Sequence, residues 1–84
     1  MYVDVQTVSV LSHGTLAVTF KNGLKGTVQV MPSFYRGVFA HLVDPEEFGK
    51  VRVDNGYMTW PGELDIAPDS MYKAIADNGK FILQ

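Results

Sequence analysis

The stretch Leu16–Val30, "LAVTFKNGLKGTVQV", decides the fold. Apolar residues recur at period two on both sides of Lys21-Asn22-Gly23: Leu16, Val18 and Phe20 before it, Leu24, Val28 and Val30 after it. Such alternation marks strands with one buried face. The length of the turn settles how they pair. A two-residue Asn22-Gly23 loop would set Phe20 opposite Lys25 and Val18 opposite Thr27, leaving the two apolar rows on opposite faces. A three-residue loop sets Phe20 opposite Leu24, Val18 opposite Gly26 and Leu16 opposite Val28, and every large apolar group then shares one side. The expected connection is a type I turn with Gly23 left-handed in a G1 bulge.

The same arithmetic extends outward. Around Ser12-His13-Gly14 it pairs Val10 with Leu16 and Val8 with Val18, so residues 2–31 read as a three-stranded antiparallel meander. Val3 and Val5 are out of phase with Val8 and Val10. Either a bulge near Gln6-Thr7 returns them to the core face, or they face another element. Further on, a two-residue Asn55-Gly56 loop matches Val53 with Met58 and Val51 with Trp60, which predicts a second hairpin with a type I′ turn.

Between the hairpins, residues 32–50 ("PSFYRGVFAHLVDPEEFGK") read as short helices. Val38, Phe39 and Leu42 fit one helical face. Asp44-Pro45-Glu46-Glu47 is a helix start: Asp44 caps, Pro45 suits the first position, the glutamates favour the positive end of the dipole, and Glu47 stands at the capping-box position. Gly49 ends it. The last helix runs from near Pro68 to Asn78, with Gly79 as a left-handed cap and Met71, Tyr72 and Ile75 facing inward. Phe81, Ile82 and Leu83 trail beyond as an apolar tail without obvious cover. The fold class expected is α+β: one domain over residues 1–84, with its core in 2–79 and the tail in 80–84.

Composition bounds the function. The chain has 84 residues, 46% of them hydrophobic and 19% charged, with a net charge of −2 and no cysteine. This excludes disorder, a disulfide framework and a thiolate zinc site. A domain this small buries only about 60% of its unfolded surface, so its margin of stability is thin. The opening residues have neither a basic region nor a continuous apolar run, which argues against a signal peptide or membrane span and for the cytoplasm. The basic residues Lys21, Lys25, Arg36, Lys50, Arg52, Lys73 and Lys80 are scattered, so direct nucleic-acid binding by this domain is not expected.

Trp60-Pro61-Gly62-Glu63-Leu64-Asp65 is the most conspicuous motif. Pro61-Gly62 suits the centre of a type II turn, and Pro61 removes a strand donor. Trp60 offers a small core much buried area, provided its N–H finds an acceptor. Asp65 can bond backbone amides leading into the last helix. In the alternative reading Trp60 is a stacking platform, with Glu63 and Asp65 as acceptors of a ligand. The structural corner is preferred. His13 is expected to be solvated at a turn tip, and His41 to be exposed or hydrogen-bonded on its short helix. No carboxylate follows a calcium-loop spacing, and no histidine a zinc spacing. Ser9, Ser12, Ser33 and Ser70 lack a nucleophile elbow. No catalytic residue, cofactor or metal is expected. Among the aromatic residues, Tyr2, Tyr35 and the Phe81–Leu83 tail are those expected at the surface.

The order of motifs then becomes specific. "LAVTFKNGLKGTVQV", "GVFAHLVDPEEFGKVRVDNGYMTWP" and "ELDIAPDSMY", together spanning residues 16 to 72, resemble the small bacterial family known as domain of unknown function 2442. The resemblance implies an α+β domain like the N-terminal part of bacterial proteins that carry a helix-turn-helix DNA-binding domain after it. DNA reading is not carried over to this chain. Family genes often neighbour a small partner gene in arrangements like toxin–antitoxin pairs, which implies a binding role. The family has no established catalytic residues to carry over.

Two functional readings follow. The first is a non-enzymatic protein-interaction or regulatory module, antitoxin-like, with a protein partner or self-association through Tyr72, Phe81, Ile82 and Leu83. The alternative is a small-molecule-binding or enzymatic domain with a pocket near Trp60, Glu63 and Asp65, joined by His41. The alternative requires those side chains to converge on a concave, solvent-reached pocket.

Overall fold

The computed structural model describes residues 3–62 and 64–84 of the chain, so the candidates Tyr2 and Glu63 lie outside the described residues. Three antiparallel strands open it: β1 (Val5–Ser12), β2 (Thr15–Phe20) and β3 (Lys25–Val30). Leu16 faces Val28 and Val18 faces Gly26, and Phe20 N donates to Leu24 O at 2.8 Å, which is the register of the odd-membered turn. Gly23 has φ +93°, the left-handed geometry a G1 bulge needs. On the other side Val10 faces Leu16 and Val8 faces Val18. The register slips between Val5 and Thr7, so Gln6 bulges and Val5 returns to the core with no exposed surface.

After β3 come two 3₁₀ segments, Pro32–Phe34 and Gly37–Val43, and a single turn of helix, α1 (Pro45–Phe48). Asp44 caps α1 by accepting from Glu46 N at 2.9 Å. Glu47 does not complete a capping box. It pairs instead with Lys50 at 2.6 Å, and that hydrogen bond and charge raise the Lys50 pKa. Val38 is also misread by a helical period of 3.6. In a 3₁₀ helix residues three apart eclipse, so Phe39 and Leu42 share the inner face while Val38, 67% exposed, turns outward.

A second sheet follows. β4 (Arg52–Asp54) and β5 (Tyr57–Trp60) form the Asn55-Gly56 hairpin, with Val53 facing Met58. Positive φ at both Asn55 (+51°) and Gly56 (+81°) is the type I′ signature. β6 (Leu64–Ile66) then adds to β5, Trp60 facing Leu64 and Met58 facing Ile66. This third strand is hidden in sequence because it is only three residues long and holds one polar position between its two apolar ones. Helix α2 (Pro68–Asn78) ends as expected, with Gly79 at φ +80° and its N–H on Ile75 O.

The largest correction concerns the apolar tail. Residues Lys80–Leu83 form β7, a fourth strand parallel to β3, in the order β1-β2-β3-β7. Leu83 is 9% exposed and belongs to the core, so the core does not stop at residue 79. Leu16, Val18, Phe20 and Val28 of the first sheet pack in one cluster with Leu42, Phe48, Met58, Trp60, Met71 and Ile75. Contact between α2 and the sheet is close at Gly26, where a Cβ would collide with the Ile75 side chain and stand 2.8 Å from Gly79 O.

Candidate functional site

The Trp60 corner is closed. Trp60 has no exposed surface, and its Nε1–H donates to Phe48 O at 2.8 Å. The ring therefore offers no face to a ligand. Gly62 has φ +97°, the positive angle expected at the second central position of a type II turn. Asp65 does not reach the amides before α2. It sits opposite Thr59 across β5 and β6, and its carboxylate accepts the buried Thr59 hydroxyl at 2.5 Å. A cross-strand hydroxyl takes the carboxylate because the two residues are paired in register, which the sequence does not reveal without β6. His41 is exposed on the Gly37–Val43 segment.

The second candidate surface is mostly tied down. Within β7, Phe81 is half-buried, Leu83 buried and Ile82 40% exposed. Tyr72 lies edge-on to Phe20 at 5.1 Å between ring centres, and its hydroxyl accepts from Asn22 Nδ2 at 2.8 Å. It borders a shallow depression of about 430 Å³ on α2 with Asp69, Lys73 and Asp77. Lys21 and Lys50, two of the basic residues a nucleic-acid surface would need, face Asp4 (3.9 Å) and Glu47 respectively.

The feature that sequence reasoning missed is at the end of the first sheet. There the β1–β2 turn, the end of β3 and the end of β7 are tied together: Val30 N donates to Gly14 O and Met31 N to Leu83 O, both at 2.8 Å. Against them lies a groove of about 560 Å³, lined by His13, Thr15, Gln29, Met31, Tyr35 and Val43 among others. His13 is not simply solvated. Its ring stacks parallel to Tyr35 (5.6 Å between centres, 6°) and meets Phe48 edge-on (5.0 Å, 75°). Its Nε2 lies 3.0 Å from Leu42 O. A carbonyl can only accept, so Nε2 carries the hydrogen and, in the neutral ring, Nδ1 is left as an acceptor. One long-range bond thus pins the 3₁₀ segment to the β1–β2 turn.

Tyr35 is anomalous. Its hydroxyl is buried and has no hydrogen-bond partner among the described residues, and desolvation raises its pKa. Leaving a buried hydroxyl unpaired costs about 1–3 kcal/mol. Met31 and Val43, at the rim of the same groove, are 41% and 60% exposed. No local sequence signal marks this site, because its residues come from three separate segments. Among the described residues no group of three or more histidine, aspartate or glutamate side chains could hold a metal ion, and no helix is long and apolar enough to cross a membrane.

Comparison with known proteins finds a match to one family model, described as "Protein of unknown function (DUF2442)", over residues 5–77. No curated protein and no solved structure matches.

Proposed function

The chain belongs to the family of unknown function DUF2442, and on that premise we propose that it is a non-enzymatic protein-interaction module, the antitoxin-like binding half of a small bacterial protein pair acting in the cytoplasm. The observation that supports this reading is the groove beside His13 and Tyr35. Apolar side chains that a free domain gains nothing by exposing, Met31 and Val43, flank an aromatic stack there. Contiguous apolar surface rimmed by polar groups is the usual mark of a protein contact. The polar groups here are Thr15, Gln29 and the His13 ring. An apolar side chain from a partner segment would fill the space between Met31 and Val43, with its backbone facing Gln29 and Thr15.

This reading moves the contact away from the Phe81–Leu83 segment, which is held in the sheet as β7 with Leu83 in the core. The test is co-expression with the product of the adjacent gene. The wild-type chain is expected to co-purify with it, and a Met31→Asp, Val43→Asp double variant to lose it without a change in thermal melting. Full retention of the partner by that variant rejects the groove as the contact.

A further inference from the structure

We infer that two copies of this chain pair edge to edge through β1, antiparallel and with Ser9 on the two-fold axis, so that two four-stranded sheets become one. This surface is separate from the groove and goes beyond the reading above.

The argument starts from which backbone groups of β1 are spent. Phe20 N donates to Leu24 O and Val30 N to Gly14 O, so the even-numbered residues of β2 bond toward β3. Hydrogen-bonded pairs recur at every second residue of an antiparallel ladder. The odd-numbered residues Ala17 and Thr19 therefore bond toward β1, where they face Ser9 and Thr7. Val8 and Val10 consequently turn their N–H and C=O groups away from β2, out of the sheet. Val5, in the same outward phase beyond the bulge, shows what this edge accepts: its N–H donates to Gly56 O of the neighbouring hairpin at 2.9 Å. Among the described residues no backbone group outside the sheet pairing bonds to Val8 or Val10.

Edge strands are normally blunted by charge, proline or shortness. The opposite edge, β7, follows that rule, with four residues beginning at Lys80. β1 has neither charge nor proline in its eight residues, VQTVSVLS, and is guarded only by its bulges and by the second hairpin, which lies beside it and bonds to Val5. Bulges at its two ends confine the regular part to Thr7–Val10. That part reads the same in both directions around Ser9, as Val8-Ser9-Val10. With Ser9 on the axis, Val8 meets Val10 of the second copy as a hydrogen-bonded pair, and the reverse pair forms at the same time. All the outward groups of both valines are then satisfied. The same register brings half-buried Val8 and 40%-exposed Val10 side by side on the core face, extending the apolar row across the junction. Ser9 meets its own copy in a close, non-hydrogen-bonded pair that a small side chain fits. A strand from a different protein could use the same backbone groups, but only a second copy gives the palindrome a purpose. The contact is short, so the pairing is reversible and depends on concentration.

Light scattering and sedimentation over a rising concentration series test this. The wild type is expected to pass from monomer to dimer. Ser9→Lys and Ser9→Glu each set like charges face to face on the axis and should weaken dimerisation by about tenfold or more, while an equimolar mixture of the two recovers a dimer. Ser9 is exposed and keeps its backbone bonds in both variants, so thermal melting should confirm that each is folded. The Met31→Asp, Val43→Asp variant should still dimerise, which separates this result from the fate of the groove. A wild type that stays monomeric throughout, variants that dimerise as well as wild type, or a mixture that fails to recover the dimer would each overturn the inference. Loss of the adjacent-gene partner from Ser9→Lys, with a monomeric wild type, would assign the edge to a partner strand instead.

Discussion

Phe48 stands between two aromatic neighbours with opposite fates. On one side is Trp60, 5.8 Å away between ring centres, fully buried, with its one N–H on the carbonyl of Phe48 itself. On the other is His13, 5.0 Å away, a residue that stays exposed and stacks on a tyrosine whose hydroxyl has no partner among the described residues. The Trp60 side has the composition of a binding site and the structure of a core. The His13 side has the composition of a turn and the structure of a groove. The difference teaches that polar satisfaction, not the conspicuousness of a motif, separates packing from a surface left for something else. A tryptophan with its donor satisfied and no exposed face has nothing to offer a ligand.

Substitutions on the two sides can break this contrast. Trp60→Ala should cost about 3–5 kcal/mol through lost burial and the cavity left behind. That is a large part of the total for a domain of this size. Urea denaturation should show the midpoint collapsing, and a loss below 1 kcal/mol would mean that the Trp60 side is not sealed. His13→Ala removes the bond to Leu42 O and the stack on Tyr35, and should cost about 1–2 kcal/mol. Faster amide exchange over the Gly37–Val43 segment should accompany it, and unchanged exchange there would show that His13 does not pin that segment.

Tyr35→Phe has the opposite sign. It deletes a buried hydroxyl that has no partner among the described residues and should stabilise the free chain by about 1 kcal/mol. The same variant sharpens the alkaline behaviour. Burial raises the Tyr35 pKa above the ordinary value of 10.0, so the unfolded chain loses this proton before the folded one does. The associated stability is present below pH 10 and declines as pH rises through the unfolded value toward the folded one. Denaturation at rising alkaline pH should show a shallower decline in Tyr35→Phe than in wild type, and identical slopes would place the hydroxyl in water. The smallest effect belongs to Val38→Ser. At 67% exposure, outside the packed face, it should change stability by no more than about 0.5 kcal/mol in thermal melting.

Local readings succeeded where the cause was local. The Lys21-Asn22-Gly23 and Asn55-Gly56 turns, the Asp44 cap and the Gly79 stop each depend on backbone angles and on apolar phase within a few residues. Two strands went unread for different reasons. β6 is too short to carry a period, and β7 pairs in parallel with a strand some fifty residues earlier in the chain, so no turn announces it. The same non-locality hid the groove, whose aromatic stack joins residue 13 to residue 35 and whose pinning bond joins residue 13 to residue 42.

By itself, then, the sequence determined the apolar face that β2 and β3 share, the two hairpin turns, the limits of the last helix and the α+β class. These follow from periodicity and from angles that only a few residue types adopt. Only the tertiary structure decided that the apolar tail is a strand, that Trp60 is closed and that His13 and Tyr35 share an open groove. The same holds for the backbone groups that Val8 and Val10 turn out of the first sheet. Those outcomes depend on which distant segments meet and which polar groups find partners when they do, and neither is written in the spacing of residues along the chain.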